Sequence, residues 1–589
     1  MLLLPGHGTT VVPDDYDMKD DTYKGRKMTV SSACGFGDAG DYPSHPAFGR
    51  FDYLFPDAAP FEVSDDMTAR LDALATEMVK PAPADPQDSS IAPVFTYFGQ
   101  FIDHDITANT DRETGLSVID VEKVTPVPRS QVSGGLQNLR EATLNLDSVH
   151  GGGPVQGPIA RRFDDALRFH RDRAMLWAGT VESSDFAPIP FPKDPADLAR
   201  DVLRADRFLR QDGLALDEAF LRGLPEELRA LFVSDDDSMR PQRAIIGDMR
   251  NDENLAVSQF HLALVRLHNR IVVHAPQHDD APTGDRDALF KWARRMTSWH
   301  YQWLVLNSYL PAVCDAQTLE QVRRDGPRVY NRFLRRVGTP HTNSNLLPLP
   351  LEFSVAAFRF GHTMIRAEYD WSFQFGRPES AGILNSAELD LLFLFTGNGQ
   401  NPMGGGARLP QHWPIEWDRF VHPPTISQPD RSARKIDTRL AAELGRMSNE
   451  PPGVSGIMAQ LAARNLRRGY RLNLPSAQAC LAGLRDHDGI TLPVLSAADM
   501  QTGDAAFDRQ TPLWFYVLKE AEVLGKQGRL GPLGSLLVAD TLTGLVHNDP
   551  ASHINSSEQG QDWHPRDGVR PDDIVIDSMA AMMDAARLL

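Results

Sequence analysis

The sequence predicts a mainly α protein: one large helical unit with long loops and little β structure. Three observations carry that expectation. Apolar residues recur at helical spacing over long segments from Val94 onward. Strand-like alternation is rare and short. No repeat period or low-complexity tract divides the 589 residues, which argues against a solenoid.

Residues 1–90 are rich in Asp, Gly and Pro and hold one good helical stretch, Met67 to Val79. They read as an N-terminal wrapping arm of the same unit as residues 91–589. Within the arm, Gly35-Phe36-Gly37-Asp38-Ala39-Gly40 matches the dinucleotide fingerprint by letter. No apolar strand precedes it and no amphipathic helix follows, so a turn is expected. The glycine runs at 397–399 and 404–406 lie in or beside a Pro-rich loop and predict turns as well. A helix is expected from Val94. Leu255 through Val273 then places Phe260, Leu264, Leu267 and Ile271 on one stripe, and Trp292 through Leu310 continues in the same manner. Further helices are predicted over 354–365, 456–470, 512–524, 534–545 and 577–588. Pro-rich intervals at 181–197 and 400–424 read as long loops.

Lys and Arg number 60 against 79 Asp and Glu, a formal charge of -19. That balance argues against binding nucleic acid, whose phosphates need a concentrated basic face. Cys34, Cys314 and Cys480 are too few and scattered for a disulfide framework or a Cys-rich zinc site. Met1 to Leu4 make a poor signal peptide. The longest apolar runs, such as Leu391 to Phe395, fall far short of the ~20 residues of a membrane span. The expectation is a cytoplasmic protein without a transmembrane segment, with leaderless export left open. Oligomeric state is not legible.

Four polar interruptions of apolar helices stand out. In Phe98-Gly99-Gln100-Phe101-Ile102-Asp103-His104-Asp105, helical steps of three and four put Gln100, Asp103 and His104 on one face and turn Asp105 about 100° away. A solvated face with a core histidine is the bland alternative. In Gly247-Asp248-Met249-Arg250-Asn251-Asp252-Glu253, Arg250 and Glu253 are one turn apart at a helix start. The acids suit the helix dipole there, whereas Arg250 calls for another reason. In Phe358-Arg359-Phe360-Gly361-His362, Arg359 and His362 face the same way; in Ala463-Arg464-Asn465-Leu466-Arg467-Arg468-Gly469, Asn465 and Arg468 do. Buried Arg and Asn must find partners.

In this order, Gln-x-x-Asp-His-Asp, Arg-x-x-Glu, Arg-x-Gly-His and Asn-x-x-Arg, the set resembles the animal-type haem peroxidase family, the peroxidase and cyclooxygenase superfamily. The resemblance runs from about Phe95 to the C-terminal region and is similar to that of a bacterial-like member. It implies haem b as cofactor and hydrogen peroxide with a small-molecule electron donor as partners. The implied reaction reduces peroxide through an oxoferryl intermediate and oxidises halide, thiocyanate or small organic donors.

By the same resemblance His104 is the distal histidine that moves a proton between the peroxide oxygens, Arg250 the distal arginine, and Gln100 the distal glutamine. His362 is the iron ligand, Asn465 the partner of its other nitrogen, and Arg359 and Arg468 the contacts of the haem propionates. Asp103 and Glu253 match the positions through which mammalian members form ester links to haem. Asn254 stands where one member supplies a methionine, so no sulfonium link is expected. Asp105 matches a calcium ligand, with Thr143, Asn145 and Asp147 as the loop partners. There the sequence departs from the family: Asn145 stands where a carboxylate is usual.

Fatty-acid oxygenases of the superfamily carry a radical-forming tyrosine three residues before the proximal histidine, where this chain has Arg359. That favours the peroxidase reading. A non-catalytic degenerate scaffold, and more remotely a His-Asp metal phosphohydrolase marked by His104-Asp105, are the alternatives. His261 and His268, seven apart on one helical face, read as structure. The Trp292, Trp299 and Trp303 group reads as packing, and the Arg464 to Arg471 cluster as propionate contacts plus a solvated helix face.

Overall fold

Helices formed by the longest apolar stripes make the body of the molecule. A computed structural model describes residues 16–17, 22–23, 26–27, 49–80, 88–108, 122–152, 158–208, 216–224, 226–339, 346–376, 387–397, 402–425, 431–447, 459–555 and 563–589. The helices that build the site and its surroundings are α1 (Met67–Met78), α2 (Val94–Ile106), α3 (Leu255–His274), α4 (Arg286–Leu304), α5 (Leu461–Arg471), α6 (Leu513–Leu524) and α7 (Pro532–Asn548). Strands are short and few, as a mainly α fold requires. The fingerprint-like glycines at 35–40, Cys34, and residues 398–399 lie outside the described residues.

The centre of the core is α3, and its starting point is set by a cap. Asn254 precedes it and accepts a hydrogen bond from the Val257 amide at 2.9 Å, which satisfies one of the orphan donors of the first turn. Phe260, Leu264, Leu267 and Ile271 are buried as the stripe predicts. Aromatic rings then join α3 to α2: Phe98 stacks on Phe260 at 5.2 Å, and Phe101 lies 5.3 Å from the same ring. In α4 the tryptophans serve packing, with the Trp299 indole N–H donating to the Ala551 carbonyl at 2.9 Å.

The described part of the arm is stitched to the body. Strand β1 (Gly49–Asp52) pairs antiparallel with β2 (Gln137–Asn138) and parallel with β3 (Leu349–Pro350). Immediately after β3, the buried carboxylate of Glu352 accepts the Leu54 and Phe55 amides at 2.8 and 3.2 Å. Burial pushes its pKa upward.

Residues 354–365, expected as one helix, are two tighter and wider pieces. Glu352–Ala356 is a π-helical turn, Ala357–Met364 is 3-10, and Ala356 between them departs from helical geometry at φ -126, ψ -72. Mid-helix changes of pitch re-aim side chains and occur often at functional sites. Here the change lets the Trp514 indole on α6 donate to the Arg359 carbonyl at 3.2 Å. Leu461–Arg471, Leu513–Leu524 and Pro532–Asn548 form where helices are expected and Met579–Ala585 is shorter than 577–588; residues 456–458 of the expected helix 456–470 lie outside the described residues.

No helix among the described residues is long and apolar enough to cross a membrane. Cys314 and Cys480 are buried free thiols.

Candidate functional site

Gln100, Asp103 and His104 line one cavity from a shared face of α2. Arg359, Gly361 and His362 line the same space from the 3-10 segment, and Ile365, Leu389, Leu392, Phe393, Leu444 and Leu461 supply apolar wall. Apolar walls with a few convergent polar groups are the usual form of a cofactor site. The helical spacing thus puts these three side chains on one face as expected. Gly99 is required by the packing behind them, since a Cβ there would meet the Tyr309 hydroxyl at 2.5 Å.

Each histidine at the cavity is engaged by an asparagine. Nδ1 of His104 donates to Oδ1 of Asn251 at 2.9 Å, and Asn251 Nδ2 donates to Nδ1 of His261 at 3.2 Å. On the other element, Asn465 Nδ2 lies 2.9 Å from Nδ1 of His362. In both histidines the asparagine contact is made at Nδ1. The Glu253 carboxylate stands 3.3 Å from Nε2 of His104. Gln100 Nε2 donates to the same oxygen, and Gln100 Oε1 accepts from Asn254 Nδ2 at 3.1 Å.

Arg250 does not line the cavity. Its guanidinium pairs with Asp248 at 2.7 Å and donates to the His104 carbonyl at 2.8 Å, so it braces the end of α2. Behind it runs a buried chain of charges: Asp248 pairs with Arg140 at 2.6 Å, and Arg140 pairs with Asp147 at 3.0 Å. Burial alone would raise the Asp248 pKa, but Arg250 and Arg140 outweigh it and hold the carboxyl far below the usual range. Gly247 keeps this segment against the Asp147 loop; a Cβ there would meet the Ser148 carbonyl at 2.5 Å.

Asp105 faces away from the cavity, as its turn on the helix predicts. It accepts the Ser148 hydroxyl at 2.6 Å and the Leu146 amide at 3.3 Å. Burial, followed by the charge of Asp147, raises its pKa to about 7, and Asp147 is itself raised by burial. Asp147 Oδ2 is buried without a hydrogen-bond partner. Thr143 is buried in the same loop. The Asn145 side chain is committed elsewhere: Oδ1 accepts the Asp147 amide at 3.0 Å and Nδ2 donates to Glu141.

Arg359 is buried, with Nε donating to the Ser354 carbonyl at 3.1 Å. Arg468 is buried on α5 but is not part of the cavity wall. The expected solvated face of α5 is corrected at Arg467, which is buried and bound to Asp72 of α1 at 2.7 Å. His268 pairs with His150 at 3.1 Å and with the Ala174 carbonyl, which agrees with a structural role. Among the described residues, no three His, Cys, Asp or Glu side chains gather so as to hold a metal ion by themselves.

Asn251 and Asn254 were not singled out by the sequence as functional. Their only signal was a polar side chain beside a buried helix start. The haem fit rests on the donor set: two histidines from separate elements face one apolar cavity, and Asp103 Oδ1 is buried there without a hydrogen-bond partner.

Residues 219–391 match the family model described as animal haem peroxidase. Heme peroxidase 2 of Caenorhabditis elegans is 24% identical over 314 residues, covering 51% of this chain and 39% of that protein. Peroxidase-like protein of Margaritifera margaritifera is 24% identical over 395 residues, covering 65% of this chain and 44% of that protein. The chain spans less than half the length of these relatives. Peroxidase A from Dictyostelium discoideum shares the fold with TM-score 0.51 and 15% identity over 87% of this chain and 89% of that one. A fatty acid alpha-dioxygenase of Arabidopsis thaliana does so with TM-score 0.51 and 12% identity over 90% and 74%. Residues 219–391 are thus similar to the animal haem peroxidase domain, and the chain is similar in sequence to these peroxidases.

Proposed function

We propose that this protein is a haem-dependent peroxidase that reduces hydrogen peroxide and oxidises halide, thiocyanate or small organic donors. The observation that carries the reading is the pair His104 and His362, set on separate elements around one cavity, with Nδ1 of each engaged by an asparagine. His362 would hold the iron through Nε2, with Asn465 orienting the ring, while Arg359 and Arg468 would meet the propionates. The bound haem supplies the electrons that cleave the O–O bond.

The protein's own part is acid and base work. His104 takes the proton of the nearer peroxide oxygen on Nε2 and returns it to the leaving oxygen, so that water departs. Arg250 keeps positive charge at the end of α2 and fixes the His104 backbone. Gln100, held by Asn254, presents its amide to the cavity. Two electrons from donor molecules and two protons complete the reduction of peroxide to water.

Asp103 is the better placed of the two carboxylates for an ester link to haem, because one of its oxygens is buried in the cavity wall without a partner. Glu253 is held by Gln100 and His104. Calcium would be bound by Asp105, Asp147 and Thr143, with Asn145 offering only its main-chain carbonyl; a divalent cation stabilises two acids whose pKa values burial raises. Localisation in the cytoplasm and the arm at residues 1–90 as part of the one haem unit belong to the same proposal. Tyrosyl oxidation of a fatty acid at position 359 is not open to an arginine.

The test is stopped-flow mixing of haem-loaded protein with hydrogen peroxide, followed by peroxide-dependent oxidation of a phenolic donor. His104→Leu should slow the reaction with peroxide by ~10²–10⁴-fold while haem stays bound. Equal rates in the two proteins would remove His104 from the chemistry, and no donor oxidation by the wild type would end the peroxidase reading.

A further inference from the structure

Asn251 sits in the 3-10 turn Met249–Asp252, which begins with Asp248 accepting the Arg250 amide at 3.0 Å. The turn directs the Asn251 side chain inward, where it is completely buried between two histidines on two helices, His104 of α2 and His261 of α3. An amide has one end that accepts and one that donates. Its oxygen lies 2.9 Å from His104 Nδ1 and its nitrogen 3.2 Å from His261 Nδ1. His104 must therefore carry its proton on Nδ1, and His261, which accepts, must carry its own on Nε2.

We infer that Asn251 is a positioning residue that keeps a proton on Nδ1 of His104, so that Nε2 is the only nitrogen of the distal histidine that gains or loses one. The inference rests on the peroxidase reading and deepens it. A residue that acts first as base and then as acid passes through neutral and charged forms, and Nδ1–H is present in both when its partner is an oxygen. The reverse amide orientation would set N–H against N–H each time His104 became charged. His261 Nδ1 gives the donor end of Asn251 a partner in this fully buried place. Glu253 faces Nε2 at 3.3 Å, and Gln100 donates to the same carboxylate oxygen; Arg250 meets His104 at its carbonyl. Fixing a tautomer through the far nitrogen is how buried partners direct a working imidazole.

The test uses haem-loaded protein labelled with ¹⁵N-histidine, in its diamagnetic ferrous carbonmonoxy form, with His104 and His261 assigned from His104→Gln and His261→Gln. Nitrogen-detected proton correlations should show Nδ1–H on His104 and Nε2–H on His261. Asn251→Asp, which can only accept, should keep Nδ1–H on His104 and move the His261 proton to Nδ1. Asn251→Leu should lose the fixed tautomer and slow the reaction with peroxide on the order of 10–100-fold, with haem affinity unchanged and most of the rate restored in Asn251→Asp. A wild-type His104 protonated on Nε2 alone, or an Asn251→Leu protein with wild-type tautomer and rate, overturns the inference. If Asn251→Leu does not fold, the wild-type and Asn251→Asp spectra decide it. The spectra also stand apart from turnover: Nδ1–H on His104 in a protein that does not reduce peroxide contradicts the peroxidase reading and leaves the positioning role supported.

Discussion

The side-chain amide of Asn465 lies 2.9 Å from Nδ1 of His362, which couples α5 to the 3-10 segment at the cavity. The nitrogen of the amide faces the ring, and iron ligation through Nε2 requires its oxygen to face it. A half-turn about the Cβ–Cγ bond of Asn465 makes that exchange without changing the shape of the side chain. Asn465→Leu removes the partner in either orientation. Its affinity for haem, measured by titrating the apoprotein, should fall about 10–100-fold, whereas Asn465→Asp should bind nearly as wild type.

Arg140 joins Asp147 at 3.0 Å to Asp248 at 2.6 Å, and all three side chains are fully buried. Removing one member of a buried charge cluster leaves the others uncompensated, at a cost of about 3–5 kcal/mol. Arg140→Met should lower stability by that order in denaturant unfolding. It should also loosen Arg250, which shares Asp248. Wild-type stability in Arg140→Met would show that Asp147 and Asp248 find other partners.

Calcium should stabilise the protein by mass action, since a ligand at 100 times its dissociation constant adds about 2.7 kcal/mol. Chelation is therefore expected to lower Tm and added calcium to restore it. The response should disappear in Asp147→Ala. A Tm indifferent to both treatments would remove calcium from the account and leave Asp105 and Asp147 as a capping arrangement for the loop.

Glu520 on α6 accepts the Leu533 and Gly534 amides at 2.8 and 3.2 Å, at the first turn of α7. Burial raises its pKa to about 8 despite those bonds. A folded-state pKa above the unfolded one favours the protonated native form. The contribution to stability is complete below the unfolded value near 4.5 and is lost as pH rises through 8. Tm should fall between about pH 5 and pH 8, and Glu520→Gln, which keeps an acceptor and cannot ionise, should flatten that decline. An equal slope in both proteins would assign the pH dependence elsewhere.

Much of the fold was legible because helical periodicity is a local property. The face shared by Gln100, Asp103 and His104 followed from spacing alone, as did the outward turn of Asp105 and the stripe from Phe260 to Ile271. The break at Ala356 was not, since nothing in 352–364 but its packing against α6 calls for a change of pitch. Arg250 stood out as a residue the helix dipole does not explain, but periodicity cannot show that it meets Asp248 and a backbone carbonyl. Asn251 escaped notice for a related reason. Its meaning lies in two histidines 147 and 10 residues away, a relationship that exists only once α2 and α3 are packed. The Arg467 pair with Asp72 was hidden in the same way, because it joins residues 395 apart.

The central claim is that His362 and the cavity beside His104 hold haem for reaction with peroxide. The most direct measurement is the absorption spectrum of the apoprotein titrated with haem, then mixed with hydrogen peroxide, for wild type and His362→Ala. The account predicts a Soret band that saturates near one haem per chain and shifts on adding peroxide in the wild type, with both lost or strongly weakened in His362→Ala. Failure of the wild type to take up haem, or an identical titration and peroxide response in His362→Ala, would contradict it.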